Sequence, residues 1–297
     1  MIRCRNLIPA AFLVAFACTQ EPRPTKPTAP QQVSEQDTKK LAEAMQQQFA
    51  AEKIVVDAKA QTVTIPAVMN QPPDPIEYLL IHKKGKRHEA MFVTGCKPSV
   101  LNAALLMLGL PPGKNASSKE KSPPPSLEEI EKGVDPVIVT PPEGTEFFVT
   151  VRWKDADGKP VERCIEDLVV DLQGQQLLQG GAWIFLGGRM AQLYKNEPEV
   201  FVADFEGNLI SVCYLSPDNH LATLRHERAR DDQNWWISKY CPEPGTEVEF
   251  VFWKQRPKLL DERQARLKEE AAKEAAEKKD KPAEAKEEAK TEAKKDV

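Results

Sequence analysis

Through the middle of the chain, short apolar blocks alternate with polar positions and are broken every ten or so residues by Gly, Pro, Asn or Asp. This period-two texture with frequent turn signals predicts an antiparallel β assembly. It opens at Ile54-Val55-Val56 and continues in Thr62-Val63-Thr64-Ile65, where Pro66, which cannot donate to a ladder, marks an edge or a strand end. Gln71 to Pro75 is a loop. The densest stretch is Ile76 to Thr94, two apolar runs about Lys84-Gly85-Lys86. A hairpin centred on Gly85 sets Lys83 opposite Arg87 and His82 opposite His88. Pro98-Ser99 then leads into Val100 to Leu108, with Ser99 as N-cap and Gly109 followed by Pro111-Pro112 as the stop. Apolar residues at 100, 101, 105, 106, 107 and 108 are too many for one stripe, so this helix is expected to be buried on several sides and to be the central packing element.

Gly113 to Pro125 is a loop, and Ser126-Leu127-Glu128-Glu129 is a capping box that opens a short helix ending near Gly133. Strand texture then fills 145–153, 161–170, 183–186, 200–205, 209–215, 235–240 and 247–253. Asp155-Ala156-Asp157-Gly158 is a hairpin turn; a calcium loop needs Gly at its sixth position, where Pro160 stands. Glu206-Gly207 read as a two-residue loop pairs Phe201 with Val212 and Ala203 with Ile210. Residues 37–52 have helical propensity and few apolar positions. The fold class that follows is α+β: a mainly antiparallel β-sheet domain over 53–253 with one short buried helix, plus a charged tail, helical or disordered.

Both ends differ from this core. Arg3 and Arg5 precede an apolar run from Leu7 to Ala17, which as a helix spans about 16 Å against a hydrocarbon core of about 30 Å. It is too short to cross a membrane and reads as an export signal over residues 1–18. Ala15-Phe16-Ala17-Cys18 resembles a lipobox, in which Cys18 becomes the lipidated first residue; the alternative is an ordinary signal peptide cut nearby. Residues 19–36, with Pro22, Pro24, Pro27 and Pro30, form an extended tether. These features place the folded part in the cell envelope, lipid-anchored and facing the periplasm. At the other end, residues 254–297 hold 14 Lys/Arg and 12 Asp/Glu. Pairs such as Glu262 with Arg266, Glu269 with Lys273 and Glu274 with Lys278 predict a solvated helix to about Lys281. Its near balance excludes an electrostatic arm for nucleic acid, and removing the chain from Asp261 onward is expected to leave stability unchanged.

Candidate chemistry is sparse. Export leaves Cys96, Cys164, Cys213 and Cys241 in an oxidising compartment, either as two disulfides or as buried thiols. No two lie in a Cys-x-x-Cys arrangement, so no cofactor or cluster is expected. His88-Glu89 lacks the second His of a zinc-protease signature, since Phe92 stands there. His82 and His88 facing each other across a hairpin give two metal ligands, too few for a structural site. The charged stretch Arg225 to Asp232 beside Trp235-Trp236 is a second candidate surface. Adjacent strand residues point to opposite faces, so one indole faces out or lies under a loop. The candidate ligand-facing residues are therefore His82, His88, Glu89, Trp235 and Trp236.

The segments 55–71, 76–110, 135–155, 182–188 and 200–211, with the closing DDQNWWI and PEPGTEVEFVF, resemble the YdjY-like domain of bacterial envelope proteins. The resemblance covers most of 53–253, and the His-Glu strand followed by a Leu-rich helix is its most specific part. It implies an exported β-rich domain without a settled activity. Some relatives are described as ferredoxin-like, a role that requires clustered cysteines, which this sequence lacks. Similar sequences often carry His where Asn102 stands, which weakens a shared metal or acid-base site with His88.

These readings point to a membrane-tethered domain that binds an unidentified protein or small molecule without catalysis. Two rivals stand beside it: an envelope enzyme using Glu89 as acid or base with a nearby His, and a redox or metal-binding protein. The state of Glu89 separates the first two. A desolvated carboxyl beside a cavity favours the enzyme, and an ion pair with Lys or Arg favours the non-catalytic role.

Overall fold

The computed structural model describes residues 34–72 and 74–280. The expectations for Cys18 and the export signal, for most of the tether and for residues 281–297 lie outside the described residues. Helix α1 (Glu35–Ala51) leads to β1 (Val55–Asp57), β2 (Thr62–Met69), β3 (Tyr78–His82), β4 (Ala90–Thr94) and α2 (Pro98–Met107). An excursion of β5 (Ser117–Glu120), α3 (Leu127–Glu131) and β6 (Val137–Thr140) precedes β7 (Glu146–Lys154) and β8 (Pro160–Cys164). The chain continues through β9 (Val169–Asp171), β10 (Gln176–Leu177), β11 (Ala182–Phe185), β12 (Met190–Ala191), β13 (Val200–Phe201) and α4 (Val202–Glu206). It finishes with β14 (Asn208–Ser211), β15 (Ala222–Arg225), β16 (Trp235–Ile237), β17 (Glu247–Trp253) and α5 (Lys258–Asp280).

Eight strands close on themselves in the order β2-β17-β7-β11-β15-β14-β3-β4, with β4 returning to β2 through Val68–Val93 and Met69–Phe92. Strand β1 adds to β2 and β8 adds to β7. A barrel of about eight strands has an interior just wide enough for side chains to fill. Here Ile65, Met69, Leu80, Phe92, Phe147, Phe250 and Phe252 are fully buried in one apolar cluster. Phe92 meets Phe250 edge-on at 5.8 Å. The mainly antiparallel class is as expected, and β17 spans the residues the alternation gave. Closure is new, and so is β15, whose four residues are too few to show alternation.

Several local expectations are corrected. Strands β3 and β4 are parallel, Tyr78 beside Ala90 and His82 beside Thr94, so no hairpin turns at Gly85. Both strands are buried on both faces, the environment in which parallel pairing occurs; residues 83–89 carry the chain back through a 3-10 turn at Arg87–Glu89. Gly85 serves a different purpose, because a Cβ there would lie 2.7 Å from the Gly207 carbonyl oxygen. Gly207, at φ +80°, is the left-handed C-cap of α4 and does not turn a hairpin. Phe201 accordingly pairs with Met190 rather than Val212, and β14 runs between β3 and β15.

Pro66 lies inside β2, paired with Glu249. On its other side β2 is met by β1 up to Thr64 and by β4 from Val68, so the missing N–H falls in the gap, where Thr94 Oγ1 donates to the Pro66 carbonyl at 2.6 Å. Helix α2 starts two residues early. Lys97 is its cap and Pro98 its first residue, while Ser99 Oγ and its amide both bond Asp204 at 2.7 Å. Val100, Leu101, Ala104 and Leu105 are buried, but Leu106 and Met107 are exposed, so one broad face is covered rather than several. The Asp155–Gly158 turn and the Ser126–Glu129 capping box are present as read.

The tail is the largest correction. Leu260 and Arg263 of α5 are buried; Arg263 donates to Asp167 Oδ1 at 2.6 Å and to the carbonyls of Leu178 at 2.9 Å and Glu166 at 3.2 Å. The first turns of the helix thus belong to the domain. Glu269–Lys273 is a surface pair as expected, at 2.8 Å.

Candidate functional site

The two candidate surfaces of the sequence meet at one seam. Pro75 bridges Trp236 in antiparallel fashion, and the Ile76 amide donates to the Trp235 carbonyl at 2.9 Å. One residue on, the Glu77 amide donates to the Glu89 carbonyl, and the Val212 amide donates to the Glu77 carbonyl, both at 2.9 Å. Residues 75–77 therefore join β16, the start of β4 and the end of β14. Glu77 carried no motif and was not singled out from the sequence; only its position next to buried Tyr78 brings it here.

The seam carries an acidic pair under one lysine. Lys86 Nζ lies 3.3 Å from Glu89 Oε2 and 3.8 Å from Glu77 Oε2, and 5.8 Å from the centre of the Tyr78 ring. His88 Nε2 sits 3.1 Å from Glu89 Oε1, although the His88 side chain is 77% exposed. Asn70 fixes the turn, with Nδ2 donating to the Ala90 carbonyl at 2.8 Å and Oδ1 accepting from Arg87 Nε at 3.1 Å. Burial raises the Glu77 pKa, and the charge of Glu89 raises it further, with Asp232 adding to the effect and Lys86 opposing it. Burial also pushes the Tyr78 hydroxyl upward, so it stays protonated. Trp236 Nε1 and Gln71 Nε2 are buried donors without a partner among the described residues.

His82 is not part of this seam. It lies at the far end of β3, buried, and its Nδ1 accepts from the Lys84 amide at 3.4 Å. Burial first, and then the charge of Lys83, lowers its pKa. With β3 and β4 parallel, His82 neighbours Thr94 while His88 lies two residues before Ala90, the residue opposite Tyr78. The facing His pair expected of a hairpin does not form. Among the described residues no group of three or more His, Cys, Asp or Glu is arranged to hold a metal.

Trp235 and Trp236 point to opposite faces as expected. Trp235 is fully buried, with its ring edge-on to His226 at 5.2 Å. The charged loop above them is held down rather than presented. Arg228 pairs with the buried Asp171, Arg225 with Glu146 and Arg230 with Asp135, and His226 Nδ1 accepts from the Arg228 amide at 3.1 Å. Of the two indoles, Trp236 alone remains as a surface element of the seam.

All four described cysteines are free, the second of the two alternatives that the sequence leaves open. Three are held by separate partners: Cys96 Sγ lies 3.0 Å from the Glu52 carbonyl and Cys241 Sγ 3.5 Å from that of Leu168, while Cys213 is clasped by Ser211. Cys164 is buried at the end of β8. Burial pushes the thiols of Cys164, Cys213 and Cys241 up to about 12, which leaves almost no thiolate at neutral pH. Asn102 is half-buried on α2, and its Oδ1 has no partner among the described residues.

A groove of about 830 Å³ runs over Pro66 and Val68 of β2, Val93, Glu247, Glu249, Trp153 and Val161. Glu77, Glu89, His82 and His88 all lie outside its lining. The seam is thus a part-buried acidic face, neutralised in part by Lys86 and set apart from the groove, and suits recognition of a basic group more than proton transfer on a substrate held in a cleft. No curated protein matches the chain, and no solved structure does. A family model, the YdjY domain, matches residues 54–253. That span holds the whole barrel and the seam, and the chain belongs to the YdjY domain family.

Proposed function

We propose that this is an exported, lipid-anchored protein of the cell envelope whose YdjY domain binds a partner without catalysis, through the face formed by Glu77, Glu89, His88 and Trp236. One observation carries the non-catalytic part. The Glu89 carboxylate, 28% exposed, is held between Lys86 and His88 and lies outside the lining of the groove, whereas a general acid or base works from a cleft that takes in the substrate. Excess carboxylate beside a half-buried indole favours a basic group on the partner. The anchoring part is supported by the apolar run from Leu7 to Ala17, Cys18 and the proline-rich segment behind it.

Fractionation of cells producing the full chain or its Cys18→Ser form tests the anchor. The wild type is expected in the membrane fraction with the added mass of a lipid, and the variant outside it. A Cys18→Ser protein that stays membrane-bound at an unchanged processed mass sinks the anchored reading. For the binding face, a hydrolytic or transfer activity lost in Glu89→Gln but retained in Lys86→Ala would establish the rival enzyme.

A further inference from the structure

Between α2 and β7 the chain makes an excursion that buries none of its apolar side chains of appreciable size around α3. Leu127 is 81% exposed, Ile130 41%, Val134 38% and Ile138 53%. Single exposed apolar residues are ordinary, but a group on one small element marks an interaction site. Leu127 and Ile130, three apart on a helix, lie on the same side.

The element is rigid in spite of this. A helix as short as Leu127–Glu131 does not persist by itself, yet both of its ends are closed. Ser126 and Glu129 form a capping box, with the Ser126 amide donating to Glu129 Oε2 at 2.8 Å. At the other end Gly133 adopts φ +88°, its amide donates to the Ile130 carbonyl and the Val134 amide to that of Glu129, both at 2.9 Å. That pair of bonds is the Schellman motif. Antiparallel pairing of β5 with β6 closes the excursion on itself, and the Arg230–Asp135 ion pair and the Asn115 side-chain amide donating to the Leu215 carbonyl at 2.8 Å tie it to the rest of the domain. Local bonds thus hold the apolar side chains outward in a fixed arrangement, which lowers the ordering cost of docking.

Charge selects among the possible occupants. Glu128, Glu129, Glu131 and Asp135 surround the apolar residues. Lys132 pairs with Glu128, Arg230 pairs with Asp135 and Lys121 is near Glu129, so the set keeps a net negative charge, with Glu131 free of a cation partner among the described residues. An anionic bilayer surface repels such a set. A second copy of this chain meeting it through a two-fold axis places the same acids opposite themselves. A cleft on a different protein, apolar in its floor and lined at its rim with Lys or Arg, complements both the apolar residues and the carboxylates.

We propose that α3 and the turn after it, Leu127 to Ile138, dock into a basic-rimmed apolar cleft of a second protein. The surface lies outside the Glu77–Glu89 seam and does not depend on the function proposed for it.

The test places a photoreactive phenylalanine analogue at position 127 of the full chain in the producing cell. One adduct with a different protein is expected, and its yield should fall about tenfold or more in Ile130→Asp, the loss of one anchor residue, and likewise in the double charge reversal E128K/E131K, which leaves the capping box in place. Unchanged thermal unfolding of both variants confirms that the fold is intact; where either variant is unfolded, Ile130→Ala and E128Q/E131Q replace them. An adduct at twice the chain's mass, or one with lipid, overturns the proposal. So does flotation of the purified Cys18→Ser chain with vesicles of phosphatidylethanolamine and phosphatidylglycerol, an adduct indifferent to charge reversal, or no adduct.

Discussion

Arg263 of α5 donates to Asp167 Oδ1 at 2.6 Å with both side chains only 5% exposed. The same guanidinium satisfies two backbone carbonyls, and Arg266 approaches Asp167 from the surface at 3.2 Å. Beside them Glu166 is buried with one oxygen on the Trp183 indole at 3.1 Å, and burial raises its pKa. A helix of tail-like composition thus carries the charge that makes two adjacent buried acids tolerable.

Removing Arg263 leaves the buried Asp167 with only the half-exposed Arg266, and breaking buried pairs of this kind costs roughly 3–5 kcal/mol. Arg263→Ala, and truncation before Asp261, are both expected to lower the unfolding free energy from urea titrations by about that amount, whereas Lys268→Ala on the exposed side should change it by less than about 0.5 kcal/mol. A truncated chain as stable as the full one would show that α5 is an appendage.

Leu105 is buried to 1% and Met107 is 58% exposed on the same helix. Leu105→Ala should cost about 2–5 kcal/mol and Met107→Ala about 0.5 kcal/mol or less. Equal effects in denaturant titrations would mean that the helix is covered on both faces or on neither.

His220 is buried without a partner for Nε2, and burial lowers its pKa to about 4 from the ordinary 6.5. The folded state holds it neutral while the unfolded chain takes up a proton below pH 6.5. Stability is therefore lost as pH falls from 6.5 to about 4 and levels off below. At 1.36 kcal/mol per unit the full loss is about 3 kcal/mol. Unfolding measured across this range should show the acid slope shrink in His220→Gln; an unchanged slope assigns the loss to carboxylates.

In a carbon-detected titration Glu77 should titrate above its ordinary value, because burial and Glu89 both favour its proton. Glu89→Gln should move the midpoint down part of the way, since burial remains. No movement would place the two carboxyls farther apart than the shared lysine indicates.

Alkylation of unreduced protein should label Cys96, Cys164, Cys213 and Cys241 in denaturant and label Cys164, Cys213 and Cys241 only slowly when folded. Two or fewer labelled thiols in denaturant would restore the disulfides.

What was legible along the chain is what neighbouring residues enforce on each other. The capping box at Ser126–Glu129, the left-handed stop at Gly109, the turn at Asp155–Gly158 and the boundaries of β17 each depend on side chains and backbone a few positions apart. The β-rich class follows from the same local alternation.

Pairing does not follow from it. The stretch about Gly85 is symmetric enough to read as a hairpin, yet β3 and β4 are parallel because each strand has apolar residues on both faces and must be covered from both sides, which the closed barrel provides. The seam that brings Glu77, Glu89 and Trp236 together crosses some 150 positions of chain, and no local pattern encodes so distant a contact. Arg263 is the extreme case. Its own neighbours are charged and solvated, and only the carboxylate of Asp167, 96 residues earlier, draws its guanidinium into the interior.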